Sequence, residues 1–117
     1  MPLRDQANDV GRIIREGLLH PVFQPILDFR AHAYLGFEAL IRGPASSPLH
    51  LPEQLFAAAR TAGLASALEH ACREASLRAF AHLGLPGRLF LNVTPGCLLD
   101  ERLMNGETCR LLNDLGI

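Results

Sequence analysis

The stretch GFEALIRG, residues 36–43, predicts a β-strand whose two faces differ in chemistry. Phe37, Ala39 and Ile41 share one face, and the other face carries a glutamate, a leucine and an arginine, the period of two that a strand gives to its side chains. A charged strand face of this kind is either solvated or has a binding role. The sequence around it decides which.

A second strand candidate precedes it, VFQPILDF at 22–29, and residues 30–34 form a turn. The short connection predicts a β-hairpin, so the two strands pair antiparallel. Pro25 cannot donate to a central ladder, which makes this segment an edge strand, a strand start or a bulge.

Helical patterns flank the hairpin. An amphipathic helix is predicted over about 5–18 and a loop over 43–52. Two further helices are predicted, one from Pro52 to Ala62 and one that begins at Ser66 with a capping box to Glu69 and ends at Gly84. The apolar stripe predicted for the last of these helices is Leu68, Cys72, Ala75, Ala79 and Leu83.

The third strand is predicted at 88–95, apolar until Asn92 as buried parallel strands are. Short helices are predicted at 96–103 and 107–115. Strands that alternate with helices after the opening hairpin predict an α/β fold with parallel pairing. Three strands give a thin core, so the chain resembles the first part of a larger α/β fold.

Composition excludes several classes of function. The formal net charge is −1 and no long basic run occurs, so binding to a nucleic acid polymer is not supported. No apolar run reaches the roughly 18 residues of a membrane span. The three cysteines lack zinc-site spacing, which favours a reduced, cytoplasmic setting, although a parent protein could be membrane-attached. Cys72 is predicted to be helix core, and the five histidines to be surface or structural.

Four polar residues interrupt apolar strands: Gln24, Glu38, Arg42 and Asn92. Carboxylate and amide oxygens suit Mg²⁺, Mn²⁺ or Ca²⁺, an arginine can hold a phosphate bidentately, and a glutamine can bond a base or ribose. Each residue also has a structural alternative. Glu38 could lie on a solvated face or in a structural ion pair, and Asn92 could belong to a turn. Arg42 could mark the point where a strand leaves the core, and Gln24 could hydrogen-bond the backbone that Pro25 interrupts.

Four blocks in order resemble the EAL domain family: QPI at 24–26, GFEALIR at 36–42, LPEQLFAAARTAGL at 51–64 and LNVTP at 91–95. The resemblance covers about residue 10 to the C-terminus. It implies a modified TIM barrel whose first strand runs antiparallel to the others. It also implies hydrolysis of cyclic di-GMP to linear pGpG with two divalent cations, Mg²⁺ or Mn²⁺, and a metal-activated water.

By position, Glu38 and Asn92 resemble the family's metal ligands, and Gln24, Leu40 and Arg42 resemble its dinucleotide contacts. Gly43 replaces a tryptophan common in the family, a change that we do not expect to abolish binding. The family's later glutamates, aspartates, lysine and glutamine have no counterpart before the chain ends. No complete catalytic set is therefore expected in these 117 residues.

The resemblance divides the chain into a leading helix, 1–20, and the first strands and helices of a barrel, 21–117. The parent is expected to be a phosphodiesterase. The alternatives are a degenerate EAL domain that binds cyclic di-GMP without cleaving it and a protein-interaction scaffold. Self-association of the short chain is expected because a partial barrel exposes strand edges, and the parent could carry sensor or GGDEF modules.

Overall fold

The computed structural model describes residues 3–92, and side chains from residue 6 onward. Its elements are α1 (Leu3–Glu16), β1 (His20–Asp28), β2 (Ala33–Arg42), α2 (Pro52–Thr61), α3 (Ala65–Leu83) and β3 (Arg88–Phe90). The predicted α/β class is thus confirmed, with one three-stranded sheet and three helices over this range. The helices predicted at 96–103 and 107–115, with Cys97 and Cys109, lie outside the described residues.

The three strands form a mixed sheet in the order β1-β2-β3. Strand β1 pairs antiparallel with β2, from His20 opposite Arg42 to Asp28 opposite Ala33. Strand β3 pairs parallel with β2, and Phe90 lies opposite Glu38. Both predicted pairings are confirmed. The third strand is shorter than predicted, because regular pairing ends at Phe90 and Leu91–Asn92 already leave the ladder.

Strand β1 tolerates proline because it lies at the edge of the described sheet. Pro21 and Pro25 are four residues apart, so their nitrogens point toward the same edge of the strand, since backbone amides alternate direction along it. Pairing with β2 continues through both residues, which is possible when that edge faces away from β2. A register shift follows at once, between Ile26 and Leu27. Two of the three explanations predicted for Pro25, an edge strand and a nearby bulge, are therefore observed.

The helices cover the apolar face of the sheet. The aromatic rings of Phe23 on β1 and Phe80 on α3 lie 6.0 Å apart between centroids. Separately from this contact, α1, α2, α3 and the end of β2 bury a common core. Its fully or nearly fully buried members include Val10, Ile13, Leu49, Leu55, Ala59 and Leu68. Because the helices pack on this face, the opposite face of the same strands is left open.

The start and the buried stripe of α3 differ from the prediction. The helix begins at Ala65, with Leu64 at the N-cap and no side-chain cap bond from it, so Ser66 lies in the first turn. Leu68 and Cys72 are buried as predicted, but Leu83 is 57% exposed. The buried face continues instead through Ser76, Leu77 and Phe80, because the last turn of the helix carries Leu83 off the core.

Among the described residues, no helix combines the length and the apolar character that crossing a membrane requires.

Cys72 is buried on α3, which confirms its prediction as helix core. Desolvation, with a smaller contribution from the negative charge of Glu69, raises the pKa of the Cys72 thiol from 9.0 to about 12. The unfolded chain ionises this thiol near its ordinary pKa, and the folded chain does not. The thiol therefore destabilises the fold only as the pH rises from about 9 toward about 12.

We expect the free energy of unfolding to fall between pH 8 and pH 11 by on the order of 2 kcal/mol more in the wild-type protein than in Cys72→Ala. Urea denaturation at the two pH values measures this difference. Because each protein's free energy of unfolding is compared between the two pH values, the pH-independent destabilisation caused by the cavity in Cys72→Ala cancels. An equal decline in both proteins would show that the buried thiol is not responsible.

Candidate functional site

Four of the five predicted site residues lie on the open face of the hairpin. Gln24 on β1 is the cross-strand partner of Glu38 on β2, and partners in an antiparallel pair project from the same face. Leu40 and Arg42 follow Glu38 at steps of two and share that face. Gln24 is exposed, and the three β2 residues are half-buried. The period of two in GFEALIRG therefore becomes one continuous surface that carries charged, amide and apolar side chains.

Asn92 reaches the same surface from β3. It lies two residues beyond Phe90, which pairs with Glu38. The Asn92 Nδ2 atom donates a hydrogen bond to Glu38 Oε1 over 3.2 Å, joining residues 54 positions apart in the chain. The structure thus brings the two predicted metal ligands into contact, at the carboxyl end of a parallel strand, where α/β folds place functional side chains.

The chemistry of this pair fits a hard cation in kind. A carboxylate and an amide that touch offer oxygen donors of the type that Mg²⁺, Mn²⁺ and Ca²⁺ bind, with the amide turned so that its oxygen faces the ion. Glu38 is the one carboxylate in the contact. Among the side chains that the structure describes, no group of three or more His, Cys, Asp or Glu is placed to hold a metal ion. The pair therefore fits as part of a ligand set.

Arg42 is the last residue of β2 and lies opposite His20, the first residue of β1. Its Nη1 atom donates to the carbonyl oxygen of Ile41 over 3.0 Å. A guanidinium has five N–H donors, so this bond leaves others that can meet a phosphate oxygen. Arg42 is about 13 Å along the strand from Glu38, far enough for the two to contact different parts of one ligand.

A groove of about 520 Å³ adjoins this surface. Leu40, Arg42 and Asn92 line one part of it, and Phe56 on α2 and Cys72 on α3 belong to the remainder. The lining also includes Ala39 and Ile41, so the groove lies largely between β2 and the helices. Leu40, Arg42 and Asn92 border it, whereas Gln24 and Glu38 lie on the open strand face outside it.

The loop after Arg42 contains a contact that the sequence did not predict. Gly43 N donates to the His50 carbonyl oxygen over 2.8 Å, and the His50 ring Nδ1 lies 3.0 Å from the Gly43 carbonyl oxygen. A Cβ atom on Gly43 would lie 2.2 Å from the Leu49 carbonyl oxygen. Any larger residue at position 43 would therefore require the loop backbone to shift. The Gly-Pro and Ser-Ser composition indicated a loop and gave no sign of its internal partners.

A mixed sheet with an antiparallel first strand, carrying a carboxylate–amide pair and an arginine beside a groove, defines an α/β domain suited to a phosphorylated ligand and a cation. Residues 7–117 match the family model described as the EAL domain, so the chain belongs to the EAL domain family. That family includes cyclic di-GMP phosphodiesterases and generally uses divalent metals, and membership implies that the sheet is part of a TIM-barrel fold. A comparison with curated proteins found no match.

Proposed function

We propose that this chain is the N-terminal portion of a metal-dependent phosphodiesterase that hydrolyses cyclic di-GMP to linear pGpG. The observation that carries the proposal is the 3.2 Å contact between Asn92 and Glu38. It joins two oxygen-bearing side chains on the face that also presents Gln24, Leu40 and Arg42. Family membership supplies the ligand class, and the contact supports the enzyme rather than a binding module, because binding alone does not require cation ligands.

Each side chain has a role that follows from its position. Glu38 and Asn92 would hold a divalent cation, and such an ion would supply an activated water and stabilise charge on the phosphoryl group. Arg42, at the strand end, binds a phosphate of the dinucleotide. Leu40 packs against a base, and Gln24 hydrogen-bonds the nucleotide from the neighbouring strand. In this division residues 1–20 form a leading segment that contains α1, and residues 21–117 belong to the first part of a barrel.

Charge limits what these 117 residues achieve by themselves. Two divalent cations roughly 3.5–4 Å apart repel strongly, and Glu38 and Asn92 supply one negative charge between them. We therefore expect a polypeptide of these 117 residues to be inactive, with further carboxylates needed to hold both ions.

A degenerate EAL domain that binds cyclic di-GMP without cleaving it is the second candidate. It is favoured by one observation, that Glu38 supplies the one carboxylate in the Glu38–Asn92 contact. The two candidates share the binding surface and differ in turnover.

The test uses the full-length product of the gene. We expect it to bind cyclic di-GMP in isothermal titration and to release pGpG with Mg²⁺ or Mn²⁺, whereas the 117-residue polypeptide releases none. Arg42→Ala should weaken binding by about tenfold or more, since a charged hydrogen bond is lost. Arg30→Ala, on the exposed hairpin turn, is the matched control and should bind as the wild type does.

The titration is run in metal-free buffer and again with Mg²⁺. Binding without turnover under all conditions would favour the degenerate domain. Absence of binding under both conditions would overturn the proposal. Efficient hydrolysis by the 117-residue polypeptide would overturn the argument that its charges cannot hold two cations.

A further inference from the structure

His50 holds both backbone polar groups of Gly43, the residue that follows Arg42. The His50 carbonyl oxygen accepts from Gly43 N, and the ring Nδ1 meets the Gly43 carbonyl oxygen. A carbonyl oxygen only accepts hydrogen bonds, so Nδ1 carries a proton and donates it. We call this pair of bonds the Gly43–His50 clasp.

The clasp lies where the sheet stops supporting Arg42. The pair of His20 with Arg42 is the last in the β1–β2 ladder, and β3 pairs with β2 only as far as Glu38. A strand end without further pairing would fray, because its backbone groups exchange partners with water. The clasp takes over at the next residue and fixes the backbone on the far side of Arg42.

The loop that delivers His50 is itself anchored. Leu49 is 1% exposed and belongs to the hydrophobic core. Its backbone N donates to Ser47 Oγ over 3.0 Å, and His50 N donates to the Ser47 carbonyl oxygen over 3.1 Å. Residue 50 is therefore tied to the core through its neighbour, and it transmits that rigidity to the end of β2.

We propose that His50 is a positioning residue for Arg42, which holds the guanidinium at the place where it meets a phosphate of the ligand. The proposal rests on the function proposed above and adds to it a residue outside the strand surface. A prepositioned arginine loses less conformational freedom on binding, so the clasp raises affinity without touching the ligand.

Two isopolar variants separate this role from general loop packing. Asparagine places an amide nitrogen the same number of bonds from Cα as Nδ1, and glutamine places it one bond further. His50→Asn should therefore keep the bond to the Gly43 carbonyl oxygen, and His50→Gln should lose it. The other half of the clasp uses the residue 50 backbone and persists in both variants.

The experiment measures the affinity of the full-length gene product for fluorescently labelled cyclic di-GMP by anisotropy, in the buffer in which the wild type binds. We expect His50→Gln to weaken binding by about fivefold, the size of one net hydrogen bond, and His50→Asn to stay within about twofold of wild type. Arg42→Ala and the double variant Arg42→Ala/His50→Gln should bind equally, since His50 acts only through Arg42.

Each other result has a definite meaning. Additive losses in the double variant, or equal losses in His50→Asn and His50→Gln, would overturn the positioning role while leaving the proposed ligand intact. Wild-type affinity in His50→Gln would overturn it too. A wild-type protein that does not bind cyclic di-GMP contradicts the proposed function itself, a failure distinct from that of the clasp. Melting temperatures of all variants establish that the folded protein is being compared.

Discussion

Glu38→Gln is expected to lower the rate of cyclic di-GMP hydrolysis by the full-length gene product by more than about a hundredfold, because loss of a direct cation ligand exceeds the effect of a residue behind it. The substitution changes charge and little else. A glutamine Oε1 still accepts the hydrogen bond that Asn92 Nδ2 now gives to the Glu38 carboxylate. The variant thus keeps the contact and removes the negative charge that would hold the cation. Chromatographic detection of pGpG over a range of Mn²⁺ concentrations measures the loss.

Glu53→Gln is the matched control for this variant. Glu53 is exposed in the first turn of α2, away from the strand surface, and its removal should leave hydrolysis unchanged. If Glu38→Gln retained activity within about tenfold of wild type at all Mn²⁺ concentrations, Glu38 would not be a ligand of the catalytic ion.

Gly36→Ala should destabilise the fold by about 3 kcal/mol, at the upper end of overpacking effects. A Cβ atom at this position would lie 2.1 Å from the Arg88 carbonyl oxygen and 2.9 Å from the Arg88 carbon and nitrogen. All three atoms are backbone, and Gly36 is paired with Arg88 where β2 meets β3. Relief therefore requires the strands to separate, and no side chain can rotate away. Urea denaturation of the full-length gene product measures the change.

Gly11→Ala provides the opposite case within the same chain. A Cβ atom there would meet only the end of the flexible Arg15 side chain, and the position lies inside α1. Alanine should stabilise this helix by up to about 1 kcal/mol. Equal effects of the two substitutions would mean that the close approach of β2 and β3 does not limit stability.

The hairpin and the shared face of its polar residues could be predicted from the sequence because both depend on local periodicity. Residues two apart on a strand project to the same side whatever surrounds them. The parallel pairing of the third strand followed from the helices between it and β2. The resemblance of four separated blocks to one family added the expected roles, and the family match over residues 7–117 confirms the family itself.

The parts that sequence could not predict depend on packing. The stripe of α3 was wrong at Leu83, since periodicity does not show where the helix passes beyond the core. The sequence separation of Glu38 and Asn92 did not predict how far apart their side chains lie, because the segment between them could have placed β3 in another register. His50 lies in an aperiodic loop, where partners are set by chain closure rather than by a repeating pattern.

The antiparallel hairpin also affects which changes in chain length the site can accept. Gln24, Glu38, Leu40 and Arg42 sit on two strands joined by one turn, so their mutual register is independent of everything after residue 42. Asn92 meets Glu38 only after two helices and three connections have returned the chain to the sheet. An insertion in that excursion can be absorbed on the surface only if it leaves this one contact in place. The residues proposed to contact the ligand therefore depend only on a short contiguous segment. The Glu38–Asn92 pair depends in addition on the length and path of the chain between its two members.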